Sequence, residues 1–89
     1  MRTLRPTTKY GRDLRRQKRR NKDLARIDAA IKTLQEFGDL PATYRPHKLS
    51  GNLANVWECH IQGDWLLLYD VTEVEVILIR TGTHADLFK

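Results

Sequence analysis

The chain has 89 residues, a formal net charge of +5 and a single cysteine. That length predicts one domain over residues 1–89, and the lone Cys59 excludes an intramolecular disulfide framework, which fits a reducing cytoplasm. No apolar run approaches the roughly 20 residues that cross a bilayer, and the start "MRTLRPTTKYGRDLRR" has charge without an apolar stretch, so neither a membrane span nor a secretory signal is expected.

Met1 to Leu4 reads as a short edge strand, and Pro6, which has no N–H to donate, suits a strand edge or end. Thr7 or Thr8 then caps a helix through "KYGRDLRRQKRR", on which Tyr10 and Leu14 share one face. The rest of that helix is cationic. Its Arg-rich, acid-poor character resembles a mitochondrial presequence, but the pattern runs straight into the domain, which sets that reading aside. Residues 1–26 hold eleven Lys/Arg against two Asp, or +9; residues 27–89 hold five against nine Asp/Glu, or −4. A basic block on an acidic body points to a polyanion, nucleic acid being the commonest, rather than to a merely solvated face.

Asn21 and Asp23 break the first helix and cap a second, "DLARIDAAIKTLQEFG". Leu24, Ile27, Ile31, Leu34 and Phe37 recur at threes and fours, predicting an apolar stripe against a sheet, and Gly38 stops the helix. "DLPATYRPHKLSGN" reads as a loop. The period then becomes strand-like: "LANVWECHI" alternates, with Val56, Glu58 and His60 on one face and Trp57, Cys59 and Ile61 on the other. "QGD" turns into the strand "WLLLYDV", and "TE" turns into "VEVILIR". The predicted class is α+β, two helices on a mostly antiparallel four-stranded sheet. Strand alternation gathers His60, Asp64, Trp65 and Arg80 at one end of that sheet, where the tail "RTGTHADLF" also arrives.

The histidines are His47, His60 and His84. Spacings of thirteen and twenty-four lack the short pairing of a helical zinc motif, and one cysteine offers no C-x-x-C, so no metal or other cofactor is expected. Metal-free ribonuclease chemistry matches better. RNA brings its own 2′-OH nucleophile; the protein need supply a base, an acid and cations for the phosphorane. Histidine serves either proton role near neutral pH, Arg80 could clamp phosphate oxygens, and Trp65 or Phe88 could stack a base. Each residue also has an ordinary explanation: His47 as a solvated loop residue, His60 as an outward strand residue, Asp64 as a turn former and Trp65 as core. Their convergence beside the basic block favours a nucleic-acid site.

"PHKLSG", "ECHIQGDWLLLYD" and "RTGTHADLF" together resemble the YafQ branch of the RelE superfamily, the mRNA interferase toxins of bacterial type II toxin–antitoxin pairs. The resemblance covers the whole chain and implies a RelE-like small ribonuclease fold and cleavage of mRNA in the ribosomal A site. It implies that His47, His60, Asp64, Arg80, His84 and Phe88 form the catalytic site and that Trp65 contacts substrate. His84 would be the general acid and Asp64 or His60 the base; His47 and Arg80 would steady phosphate charge, while Phe88 and Trp65 orient the nucleotide. Arg15, Arg16, Lys18, Arg19 and Arg20 would hold ribosomal RNA. The implied partners are the ribosome, mRNA and a cognate antitoxin in a toxin–antitoxin hetero-oligomer. The alternative is a non-catalytic RNA- or DNA-binding module whose histidines only contact phosphates.

Overall fold

A computed structural model describes residues 1–51 and 55–88; Leu53 and Ala54, which open the expected alternating stretch "LANVWECHI", and Asn52 lie outside them. The elements run β1 (Thr3–Pro6), α1 (Thr8–Arg19), α2 (Leu24–Phe37), a 3-10 turn (Ala42–Tyr44), β2 (His47–Lys48), β3 (Trp57–Gln62), β4 (Trp65–Val71), β5 (Glu75–Gly82) and α3 (His84–Leu87). The sheet order is β1-β5-β4-β3-β2, with β1 parallel to β5 and the other pairs antiparallel. It carries one strand more than the alternation pattern predicts. β2 is a two-residue edge pairing inside the presumed loop, and two residues are too short to produce a visible period.

Local chemistry sets the helix ends. The Thr7 side chain accepts from the Tyr10 N–H and caps α1, and Asp23 accepts from Ala25 N–H to cap α2. Gly38 ends α2 in the left-handed region at φ 78°, as a glycine does without steric cost. Ile27, Ala30, Ile31 and Leu34 of α2 pack on Cys59, Ile61, Trp65, Leu67, Tyr69, Val76 and Leu78 of the sheet. Phe37 departs from the expected stripe: the last turn of α2 is tied to the entry of β1 through Gln35, whose carbonyl accepts from the Arg2 N–H at 3.2 Å, while Phe37 itself is 69% exposed.

Helix α1 lies along the part of β5 that β1 is too short to cover. Thr7 Oγ1 donates to the Ile79 carbonyl, and the Thr81 N–H donates to Asp13 Oδ2 at 3.2 Å. These side chains satisfy backbone groups that a bare edge would expose. The helix buries Tyr10, Asp13 and Gln17, so two of its three buried residues are polar and invisible to an apolar count.

The register of β5 matters most for function. Leu68 pairs with Arg80 and Tyr69 with Leu78, so Ile79 is an extra residue in a bulge. Simple alternation from Val76 and Leu78 would send Arg80 into the helix-covered face. The bulge turns it to the opposite face, beside Glu58 and Leu68 in one cross-strand row, with His60, Leu66 and Gly82 in the next.

Candidate active site

Several segments meet on the sheet face that α1 and α2 leave uncovered. Leu66 and Leu68, both buried, form its floor. His60 stands on β3, Asp64 sits in the β3–β4 turn, and His84 opens α3. Asp64 Oδ1 lies 2.5 Å from His84 Nδ1 and also accepts from the His84 N–H at 3.4 Å. The hydrogen bond from His84 holds the Asp64 carboxyl below the usual carboxylate range. An ionised Asp64 fixes a proton on Nδ1 of His84 and directs Nε2 away, towards the open face. Both groups are more than half exposed. The His60 and His84 rings stand 6.4 Å apart between centroids, tilted by 52°, and the Phe88 ring lies 5.9 Å from His84. Two imidazoles at that separation can face the two sides of one phosphate.

The tail is held in place by its own cap and by α1. Thr83 accepts from Asp86 N–H while Asp86 accepts from Thr83 N–H, a reciprocal capping box. Asp86 also takes a bidentate pair from Arg20, at 2.7 and 3.1 Å, with Arg16 at 3.6 Å. The Arg20 contact holds the Asp86 carboxyl far below its ordinary range. Gly82 is needed at the approach: a Cβ there would meet Asp86 Oδ2 at 2.8 Å.

His47 occupies the neighbouring end of the same face. The β2–β3 pairing sets it opposite Glu58, whose nearly buried carboxylate lies 3.3 Å from His47 Nε2. His47 Nδ1 lies 3.1 Å from the Arg45 carbonyl, and Arg45 Nη2 lies 3.2 Å from His60 Nδ1. Arg45 therefore bridges two of the expected histidines. Alternation put Glu58 beside His60, but only the β2 pairing reveals its partner, and nothing in the sequence singles out Arg45. Asp86 did leave a signal, the T-x-x-D spacing from Thr83.

Two expectations change. Trp65 is 1% exposed, and its indole N–H donates to Thr81 Oγ1 at 2.9 Å, so it is a core residue and offers no face to a nucleotide. Its position at the strand start points inward because β4 begins on the helix-covered side. Arg80 faces the site but is not free: Asp13 accepts from its Nε at 2.6 Å and from its Nη2 at 3.1 Å. That side-chain pair raises the Arg80 pKa further and orients the guanidinium. Arg80 lines a groove of about 250 Å³ with Lys9, Arg12, Asp13 and Arg16, so it joins the site to the basic helix. Arg15, Lys18 and Arg19 are exposed along that helix, whereas Arg16 and Arg20 also serve Asp86. Among the described residues, no group of three or more His, Cys, Asp and Glu is arranged to hold a metal ion, and no helix is long and apolar enough to cross a membrane.

The family described as a bacterial toxin of type II toxin–antitoxin system, YafQ, matches residues 2–89. The chain is 34% identical over 80 residues to the mRNA interferase toxin YafQ of Escherichia coli K12, covering 89% of this chain and 87% of that protein. Among solved structures, it is similar to the E. coli DinJ–YafQ toxin–antitoxin complex at TM-score 0.90 and 31% identity, over 99% of this chain and 98% of that one. A metal-bound toxin from Helicobacter pylori matches at TM-score 0.90 and 31% identity, over 99% and 100% of the two chains.

Proposed function

The chain belongs to the YafQ family of type II toxin–antitoxin toxins, and from that premise we propose how its own residues perform the reaction. It is a toxin with mRNA interferase activity, an endoribonuclease whose partner is a cognate antitoxin. We read it further as a cytoplasmic, single-domain enzyme that cleaves mRNA on the ribosome, in the A site. The observation that carries the chemical assignment is the Asp64–His84 pair facing His60 across 6.4 Å.

In this mechanism the RNA 2′-hydroxyl attacks the adjacent phosphorus, forming the O2′–P bond as the P–O5′ bond breaks. His60 takes the 2′-hydroxyl proton. His84, held in orientation by Asp64, gives its Nε2 proton to the departing 5′-oxygen. The products are a 2′,3′-cyclic phosphate and a 5′-hydroxyl. Asp64 is occupied in orienting His84, which favours His60 as the base. Arg80, fixed by Asp13, supplies positive charge to the phosphorane, His47 adds to it from β2, and Phe88 stacks the neighbouring base.

A message carrying one 2′-deoxy nucleotide at the cut position should resist cleavage while neighbouring cuts persist. Treating the toxin with EDTA should leave the rate unchanged, since every proton and charge in the scheme comes from the chain. Cutting at the deoxy position would overturn the mechanism. Loss of activity with EDTA, restored by a divalent cation, would replace it with a metal-assisted one.

A further inference from the structure

We propose that Arg45 is a catalytic residue of this site: it caps the base nitrogen of His60 in the free enzyme and moves onto the scissile phosphate when RNA binds. The proposal rests on the ribonuclease reading above and adds a residue to it.

Arg45 closes the 3-10 turn with φ 49° and ψ 52°, in the left-handed region that side chains other than Gly and Asn rarely adopt. Its surroundings impose that conformation. The Arg45 N–H donates to the Ala42 carbonyl at 2.9 Å, and its own carbonyl is engaged by His47 Nδ1. Strained backbone of this kind persists where surrounding contacts over-determine it, and it aims the side chain. Here the guanidinium is aimed at His60 and remains exposed. Unlike Arg80, it has no carboxylate partner among the described residues.

The two neighbours of His60 Nδ1 make opposite demands. Arg45 Nη2, at 3.2 Å, is always a donor and needs a lone pair on Nδ1. The Gly63 carbonyl, at 3.3 Å, is always an acceptor and needs a proton there. One nitrogen cannot meet both at once. With Arg45 in place the ring proton sits on Nε2, and the lone pair that would take the 2′-hydroxyl proton is covered. A phosphodiester offers the guanidinium a stronger, two-pronged, charge-assisted contact. As Arg45 leaves, the 2′-hydroxyl enters the vacated position, its proton passes to Nδ1, and the Gly63 carbonyl accepts from the new N–H. The bonds made and broken are those of the mechanism above, and no further reactant is required. Substrate binding thus uncovers the base.

The test uses the full chain with His60 ring nitrogens labelled with ¹⁵N, and a 2′-deoxy oligonucleotide that binds without being cut. Arg45→Gly suits the left-handed backbone and removes the guanidinium, whereas Arg45→Lys keeps the charge and loses the fork. Free wild type should show the lone pair on Nδ1 and, because the 2′-deoxy probe draws Arg45 away without supplying a hydroxyl to that lone pair, should move to the Nδ1–H form that the Gly63 carbonyl favours. Arg45→Gly should hold the Nδ1–H form throughout, and at saturating programmed ribosomes it should cleave about a hundredfold or more slowly, the scale of one lost transition-state donor. Arg45→Lys should fall between. A wild-type ring that ignores the oligonucleotide overturns the proposal, whether or not cleavage is seen. So does Arg45→Gly with the wild-type ring signature and saturated rate. Failure of the wild-type toxin to cleave, with the tautomer responses as described, would instead count against the ribonuclease reading and leave the Arg45–His60 exchange standing.

Discussion

His84 and Trp65 sit near one end of the sheet, and only the surroundings separate a working residue from a packing one. His84 has an exposed ring, an ionised partner and room for a phosphate beside it; removing its side chain removes a proton donor and little packing. His84→Ala should lower single-turnover cleavage by about a hundred- to ten-thousand-fold, with ribosome binding retained. Asp64→Asn should fall in the same direction by less, because it leaves the imidazole present but less well fixed. Trp65→Ala should do something different. Emptying a buried indole costs about 3–5 kcal/mol, so its denaturation midpoint should drop sharply while the folded fraction still binds RNA with wild-type affinity. A stable Trp65→Ala protein with weakened RNA binding would return the ring to the substrate.

At the scale of elements, α3 is a device for delivery rather than for stability. It is four residues long, buries no residue, and is tied down by the capping box and the Arg20–Asp86 pair. Removing residues 84–89 should therefore lower the melting temperature by less than about 4 °C, equivalent to under about 1 kcal/mol in a domain of this size, while abolishing cleavage. The docking itself should depend on pH in a defined direction. Asp86 is depressed in the folded state, so its contribution is fully present above the unfolded carboxylate value of about 3.9 and is lost as pH falls through the folded value. Asp86→Asn should thus expose the Leu87 and Phe88 amides to hydrogen exchange at pH 7. The gap between variant and wild type should begin to close only below about pH 4. Equal exchange at pH 7 would mean that the tail docks without Asp86.

Across the whole molecule, the asymmetry of charge assigns α1 two tasks that mutation can separate. Arg12, Arg15, Lys18 and Arg19 are exposed and form a cationic surface beside the site. Neutralising them should weaken ribosome binding and flatten its salt dependence, because fewer counterions are released. Cleavage at saturating ribosomes should change little. Arg20→Ala should behave in the reverse way, slowing the saturated rate by releasing Asp86 and the tail. If all five substitutions affect binding alone, the link from helix to tail has no catalytic consequence.

The helices, their caps and the β3–β4–β5 meander were legible in the sequence because they rest on short-range chemistry. Thr7 and Asp23 needed only the next few residues, Gly38 only its missing Cβ, and the strand alternation only its period of two. The resemblance carried by "PHKLSG", "ECHIQGDWLLLYD" and "RTGTHADLF" pointed to His60, Asp64, His84 and Phe88, which the fold does bring together. Other features depended on contacts between residues far apart in the chain. The bulge at Ile79 decides which face Arg80 takes, and Asp13, 67 positions away, decides how it is held. The inward start of β4 turned Trp65 from a platform into core. The two-residue β2 placed His47 opposite Glu58 and brought Arg45 to His60. Periodicity reports which side of its own element a residue occupies; it contains no information on register, bulges or the partner across the sheet, and those fixed the hydrogen bonds of the site.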